Sequence, residues 1–277
     1  MFWQNYFKLK RKKNKAYKQT NLIPLAGEGN RFQLNKYKVP KPFIHVENQP
    51  MIFASCKSFP QSNNWIFLIK DKHLKKFPIK KHLLNTFNSK IIPVKKRTPG
   101  QLSTCYLAKD IIKDKQPLFI SSCDYKVIYS ERKLDKLIND KKIDGIIWTT
   151  NLKNILYENA NNFAYCKIKK NNLISEVVEK KIISTNPEYD PMVVGCFWFR
   201  DKNDFIDAAE NSFKFKKKIK KEYYVGNSIN YLINKKKKRF VTFNVDYWIS
   251  FGNPFELDIY HYWEELFLNQ NNNLIIN

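Results

Sequence analysis

The chain has 277 residues, 43% hydrophobic and 15% aromatic, enough to fill one large α/β core. Fifty Lys+Arg face 25 Asp+Glu for a formal charge of +25, and no apolar run reaches the length that crosses a membrane as a helix. Five cysteines without a CxxC pair suit reduced, intracellular thiols, and four isolated histidines offer no metal spacing.

Residues 1–20 read as a basic, flexible arm without an acidic residue, lacking the apolar core of a secretory signal. Its Phe2, Trp3, Tyr6 and Phe7 could lie on an anionic surface. The folded part begins at Asn21, with an apolar strand over Leu22–Ala26. Pro50 opens a helix to Ser58, and Trp65–Lys70 is a buried strand. A basic helical stretch runs to about Asn88, before a strand at Lys90–Val94. Apolar residues at Leu102, Cys105, Tyr106, Ala108, Ile111 and Ile112 predict a helix over Gln101–Lys113. Pro117–Ser121 is a strand, Glu131–Asn139 a helix and Asp144–Thr150 a strand, an alternation that argues for βαβ units and a mostly parallel sheet. The second half changes character. Strands are expected at Phe163–Ile168, Leu173–Glu179, Met192–Arg200 and Phe240–Val245. Helices are expected at Asp204–Phe215, Glu222–Asn234 and Pro254–Leu268, with a polar tail over 269–277. The lysines are spread along the chain, in clusters at 11–15, 95–97, 216–221 and 235–239. That fits a composition bias over a solvated surface better than a nucleic-acid footprint, which would concentrate on one element.

The densest chemistry lies between Asn21 and Ile52. Leu25 and Ala26 end the first strand, Gly27 and Gly29 follow, Arg31 comes next, and Lys41 sits between Pro40 and Pro42. A strand opening into a glycine turn lets backbone N–H groups approach a phosphate closely. Arg31 adds a planar fork for phosphate oxygens and Lys41 a mobile point charge. The loop is not a Walker type, which needs Gly-Lys-Ser/Thr where Gly29-Asn30-Arg31 stands. It is not a dinucleotide fingerprint either, because Phe32 occupies the place of the third glycine. In an open α/β sheet, ligands sit beyond the carboxyl ends of the strands, and Asp124 falls there, after Pro117–Ser121. A carboxylate so placed can hold Mg²⁺ together with phosphate oxygens.

The pattern Ala-Gly-x-Gly-x-Arg-Phe with Pro-Lys-Pro about ten residues on resembles the sugar-phosphate nucleotidylyltransferases, or nucleotide-sugar pyrophosphorylases, including relatives in capsule and surface-polysaccharide synthesis. The resemblance spans about Asn21 to Leu268, and five of the seven glycines fall on its motif positions. It implies a three-layer α/β, Rossmann-like (glycosyltransferase-A-like) single domain over 21–268 with a central mixed, mostly parallel sheet. A nucleotide-binding half would cover about 21–150 and a sugar-phosphate half about 151–268. By the same resemblance Arg31 and Lys41 are catalytic. Leu25, Ala26, Gly27, Gly29 and Arg31 hold the nucleotide, Gly100 and Gln101 in Arg-Thr-Pro-Gly-Gln read the base, and Asp124 binds Mg²⁺, with Cys123 where the family has glycine. Glu179 accepts hydrogen bonds from sugar hydroxyls, Lys180 pairs with the sugar phosphate, and Gly195 precedes the strand lining the substrate. Glu222 to Val225 and Asn230 resemble a helix start near the sugar pocket. One position departs. The family's Trp-x-Asp-x-Gly-Thr-Pro reads Trp248-Ile249-Ser250-Phe251-Gly252-Asn253-Pro254 here, so Ser250 stands where a second metal-binding aspartate is expected. Water, Asp246 or loss of activity could answer for it.

The implied partners are an NTP and a sugar phosphate or other phosphorylated acceptor, with a homo-oligomer compatible and no specific nucleic acid expected. The implied reaction makes a nucleotide-sugar and pyrophosphate, in the cytoplasm. The alternatives are a catalytically impaired nucleotide-binding or regulatory protein on the same fold, and a basic nucleic-acid or membrane-surface protein.

Overall fold

Nine strands make the main sheet of the computed structural model, which describes residues 15–35, 37–152 and 160–273, with side chains through 267. They are β1 (Thr20–Leu25), β2 (Trp65–Lys70), β3 (Ser89–Val94), β4 (Leu118–Ile120), β5 (Gly145–Thr150), β6 (Ala164–Ile168), β7 (Ile174–Glu179), β8 (Met192–Phe199) and β9 (Phe240–Asn244). Seven of them lie in the spatial order β9-β5-β8-β4-β1-β2-β3, and among these only β8 runs antiparallel to its neighbours. The β6–β7 hairpin joins the start of β8 through the pair Tyr165 and Met192. The chain steps from β1 to β2 and β3 on one side, and β4 pairs with β1 on the other. Strand order therefore reverses at β1 and β4, which opens a crevice beyond their carboxyl ends.

All six residues of β2 are buried, as expected for a central strand covered on both faces. Alternate side chains feed two cores. Ile23, Leu25, Phe67, Phe119 and Trp148 pack on one face; Leu22, Ile66, Leu68, Ile120 and Phe199 pack on the other. Each such side chain stabilises the fold by about 1.5–3 kcal/mol relative to exposure. The helices are α1 (Asn30–Leu34), α2 (Met51–Cys56), α3 (Asp71–Lys76), α4 (Ile79–Thr86), α5 (Gln101–Tyr106), α6 (Glu131–Asn139), α7 (Lys202–Lys214), α8 (Val225–Asn234) and α9 (Pro254–Asn273). Helix α6 has the predicted bounds because Ser130 caps it, accepting from the Lys133 N–H.

Several expectations need correction. The helix expected over Gln101–Lys113 stops at Tyr106; tighter turns continue, with Leu107 N–H bonded to Thr104 O and Ala108 N–H to Cys105 O. The apolar spacing survives that change, since Leu102, Cys105, Ala108 and Ile112 stay buried. The last six residues assigned to the arm belong to the fold. Ala16–Tyr17 pairs with Gln61–Ser62, Lys15 N–H donates to Glu131 Oε1 at 2.7 Å, and Gln19 and Thr20 are buried. Phe2, Trp3, Tyr6 and Phe7 lie outside the described residues. Helix α9 continues to Asn273, into the expected tail, with no proline or glycine to stop it. Helix α8 starts three residues later than expected because Glu222 turns back onto Ile219.

A third, smaller core holds the site together. Phe32 of α1, Ile44, Val46, Met51, Ile249, Phe251, Leu257 and Tyr260 form it, so the glycine loop, the Pro-Lys-Pro segment and the start of α9 share one packing unit. A largely buried ion pair braces that unit, Lys126 Nζ to Glu47 Oε1 at 2.6 Å, and the Tyr260 hydroxyl donates to the same Glu47 oxygen.

Candidate active site

Two clefts open beyond the carboxyl ends of β1 and β4, of about 570 and 550 Å³. Arg31, Gln101, Asp124, Gly195 and Gly252 line both, so the clefts adjoin at Asp124.

The first cleft is walled by Leu25, Ala26 and the loop Gly27–Gly29, where β1 runs out of the sheet. Arg31, on α1, is exposed over it. Lys70 at the end of β2 steadies the loop through an ion pair with Glu28, 2.7 Å, and Gln33 Nε2 donates to Glu28 O. Lys41 enters from a short 3₁₀ turn that Pro40 and Pro42 prearrange. Its ammonium lies 2.5 Å from Asp124 Oδ2, and Ser122 Oγ donates to Asp124 Oδ1 at 2.6 Å. Burial pushes the Asp124 carboxyl up. The Lys41 charge and hydrogen bond, Ser122, and the Arg31 charge outweigh it, so the group is held below the usual carboxylate range.

The opposite wall carries Arg97, Thr98, Gly100, Gln101 and Glu222. Gly100 has φ +100°, and a Cβ there would stand 2.5 Å from Tyr223 O. The absence of a side chain lets the segment pair with Tyr223, whose N–H donates to Pro99 O at 2.8 Å while its carbonyl accepts from Leu102 N–H at 3.1 Å. Tyr223 is therefore a buried support, whereas Tyr224 and Val225 line the second cleft. Asn230 reaches neither cleft. Its amide bonds both the N–H and the C=O of Val177, 2.8 Å each, and so fixes β7 to α8.

The second cleft holds Glu179 and Lys180 at the end of β7, with Tyr125, Phe163, Phe197, Tyr224 and Trp248 around them. Glu179 meets the start of α8. The Asn227 backbone N–H donates to its carboxylate, at a helix end whose N-cap residue Tyr224 supplies no side-chain cap. A Cβ on Gly226 would come within 2.7 Å of Glu179 Oε1, so glycine there admits the carboxylate. Burial raises the Glu179 carboxyl to about 7, against the pull of Lys180 and the Asn227 hydrogen bond. Burial lowers Lys180, opposed by Glu179. Lys180 takes a left-handed φ of 58°, and its ammonium donates to Asn162 O and lies 5.8 Å from the Tyr224 ring. That backbone region costs an L side chain on the order of 1 kcal/mol, a strain common at functional sites.

The structure thus brings most of the residues singled out for the site to these two clefts, the loop, Lys41, Gly100 and Gln101 to the first, Glu179 and Lys180 to the second, Asp124 and Gly195 to their junction, while Tyr223, Asn230 and Asp246 line neither. Sequence reasoning missed Glu28 with Lys70, Gly226, and Glu256. The first had a readable signal, since the acidic residue interrupts an otherwise uncharged turn. Glu256 had none, because a two-stranded ladder places it. Tyr247–Ser250 pairs antiparallel with Tyr125–Ile128, Ser250 opposite Tyr125, and Phe251 N–H donates to Asp124 O at 3.0 Å. Among the described residues no cluster of three or more His, Cys, Asp or Glu is arranged to hold a metal. The five cysteines are buried and unpaired, and burial raises their thiols, which leaves them as packing groups. No described helix is long and apolar enough to cross a membrane.

No protein-family model and no curated protein matches the chain. Its fold does match solved structures. The nucleoside-diphosphate-sugar pyrophosphorylase from Vibrio cholerae RC9 aligns with a TM-score of 0.69 at 18% identity, over 87% of this chain and 98% of that one. The inositol-1-phosphate CTP transferase from T. maritima aligns at 0.69 and 12% identity, over 89% and 95%. A UDP-glucose pyrophosphorylase complexed with UDP-glucose aligns at 0.68 and 13% identity, over 92% and 100%. At these identities the likeness establishes the fold, an α/β domain with a central mixed, mostly parallel sheet.

Proposed function

We propose that the chain transfers a nucleoside monophosphate from an NTP to a sugar 1-phosphate or similar phosphorylated acceptor and releases pyrophosphate. The observation that carries this reading is the junction of two clefts at Asp124, with Arg31 at the boundary and Lys41 bonded to the same carboxylate. The glycine-loop cleft would take the triphosphate, and the Glu179–Lys180 cleft the acceptor. The fold neighbours support it, since their names describe nucleotidyl transfer to sugar or inositol phosphates.

The acceptor's phosphate oxygen would attack the α-phosphorus in line, forming one P–O bond while the bond to pyrophosphate breaks. No proton moves in that step, because the nucleophile is already an anion. The work of the protein is positioning and charge neutralisation. Lys41 would stabilise α-phosphoryl or pyrophosphate oxygens as charge develops. Arg31 would neutralise the departing pyrophosphate, Gly100 and Gln101 would seat the base, and Lys180 would pair with the acceptor phosphate. Ionised Glu179 would accept hydrogen bonds from acceptor hydroxyls.

Mg²⁺ belongs to the same proposal. Asp124 would offer it the hard oxygen donor it prefers at the junction of the two clefts, and bound Mg²⁺ would offset charge on the phosphate oxygens. Use of the product in surface-polysaccharide synthesis and a cytoplasmic setting follow from the family resemblance and are part of this reading.

A panel of five NTPs against mixed sugar phosphates and other phosphorylated alcohols, with pyrophosphate as readout, tests the function. Release that requires one NTP and one acceptor supports it. Ser250 motivates a second reading, a nucleotide-binding protein without turnover. Thermal stabilisation by a nucleotide with no pyrophosphate from any pair would favour that one.

A further inference from the structure

Ser250 leaves the junction one carboxylate short of the resembled motif, and the ladder beside it limits what can make up the difference. Asp246 is at the wrong end. It is exposed, its N–H donates to Ile128 O at 2.8 Å, and Ser250 lies four residues on, about 13 Å at an extended rise. Glu256, in the first turn of α9, is at the right end. Ser250 Oγ donates to Glu256 Oε2 at 2.7 Å, and the Gly252 N–H donates to the same oxygen at 2.9 Å. Glu256 Oε1 has no hydrogen-bond partner among the described residues. Asp124 and Glu256 both line the acceptor cleft. One oxygen of each carboxylate borders the space that a Gly252 side chain would fill, Asp124 Oδ2 there also bonded to Lys41 Nζ. A Cβ there would stand 3.3 Å from Asp124 Oδ2 and 3.3 Å from Glu256 Oε2. Glycine thus keeps open an oxygen-lined cradle between two acids 132 residues apart in the chain.

We infer that Glu256 supplies the second carboxylate of a divalent-cation site with Asp124, and that Ser250 has become the residue that positions it. The inference rests on the nucleotidyl-transfer reading for the presence of a cation at this junction, but the identity of the second acid follows from the ladder and the cradle alone. Two oxygen donors, with phosphate and water completing the shell, are the usual way a protein holds Mg²⁺ or Mn²⁺. A hydroxyl that orients a ligating carboxylate is a common supporting group in such sites. A purely structural role for Glu256 would be to satisfy the start of α9. Asn253 already does that in part, since its Oδ1 accepts from the Glu256 N–H at 2.9 Å.

The test is binding of Mn²⁺ to the full chain, read from the free-ion paramagnetic resonance signal, with inorganic tripolyphosphate present. Glu256→Gln and Asp124→Asn should each weaken Mn²⁺ binding about tenfold or more, and Ser250→Ala should weaken it less, by loss of positioning. Ser250→Asp in the Glu256→Gln background should recover most of the affinity, a gain that a destabilised helix end could not produce. Weakening by Asp124→Asn with no effect of Glu256→Gln would overturn the inference and leave Glu256 a helix cap. Indifference of Mn²⁺ to all three single substitutions would overturn it as well. Failure of the nucleotidyl-transfer reading is separable, for it would appear as Mn²⁺ binding of this pattern with no pyrophosphate from any substrate pair.

Discussion

Lys41 Nζ stands 2.5 Å from Asp124 Oδ2, a contact that joins two groups 83 residues apart where the two clefts adjoin. The ammonium keeps the carboxylate ionised against its burial, and the carboxylate aims the ammonium at the cleft.

Lys41→Met should therefore lower turnover by about a hundredfold or more while nucleotide binding falls far less, as for loss of a donor that acts on developing charge. Pyrophosphate release and thermal stabilisation by nucleotide, measured on the same variant, separate the two effects.

Glu179 gives a pH dependence with a defined sign. Its carboxyl is raised to about 7 in the folded chain, so the folded state holds a proton that the unfolded chain has released. Its stabilising contribution is fully present below the ordinary carboxylate range and is lost as pH rises through about 7. Glu179→Gln should become relatively more stable than the parent at pH 8 than at pH 5, in urea unfolding. If Glu179 binds acceptor hydroxyls in its ionised form as proposed, kcat/KM should rise through about pH 7 in the parent, and that limb should disappear in the variant.

Gly252→Ala places a methyl group 3.3 Å from the Asp124 and Glu256 oxygens. The backbone there needs no glycine conformation, so the fold should persist with a loss of about 1 kcal/mol, as for mild overpacking. Turnover and Mn²⁺ affinity should both fall well beyond that. Calorimetric unfolding beside a Mn²⁺ titration shows whether the damage is local.

Gly100→Ala should behave differently. Its φ of +100° and the 2.5 Å approach to Tyr223 O allow no easy relief, and a loss of about 2 kcal/mol or more is expected. Nucleotide affinity should weaken with it, since the wall carrying Gln101 must shift; urea midpoints and nucleotide titrations give the two numbers.

The Lys126–Glu47 pair braces the third core from within. Lys126→Met removes one partner of this largely buried pair, and breaking such a pair typically costs about 3–5 kcal/mol. A shift of the urea midpoint to match checks it, and an unchanged midpoint would show that the pair adds nothing to the stability of this region.

Much of this architecture was written in short-range patterns. The apolar run of β2, the capped helix after Ser130 and the turn Gly27–Gly29 each declare themselves within about ten residues. So did Asp124, because a strand end in a βαβ unit is a place as well as a residue. The helix expected past Tyr106 failed at its boundary, where an unbroken apolar spacing hides a change from α to tighter turns. What sequence could not reveal is pairing at a distance. The Tyr125–Ile128 and Tyr247–Ser250 strands have four residues each and no alternation to mark them, yet their register decides that Glu256 and not Asp246 faces Asp124. Gly226 is similar, its importance set by a carboxylate arriving from another element.

The most direct test follows the α-phosphate itself. Once the substrate panel has named a pair, the chain should be supplied with that NTP labelled at the α-phosphorus and, separately, at the γ-phosphorus. α-Label is expected in a new diphosphate product joined to the acceptor and γ-label in pyrophosphate, both formed about a hundredfold or more slowly in Lys41→Met. Release of γ-label as orthophosphate, or α-label confined to a free nucleoside monophosphate, would contradict nucleotidyl transfer.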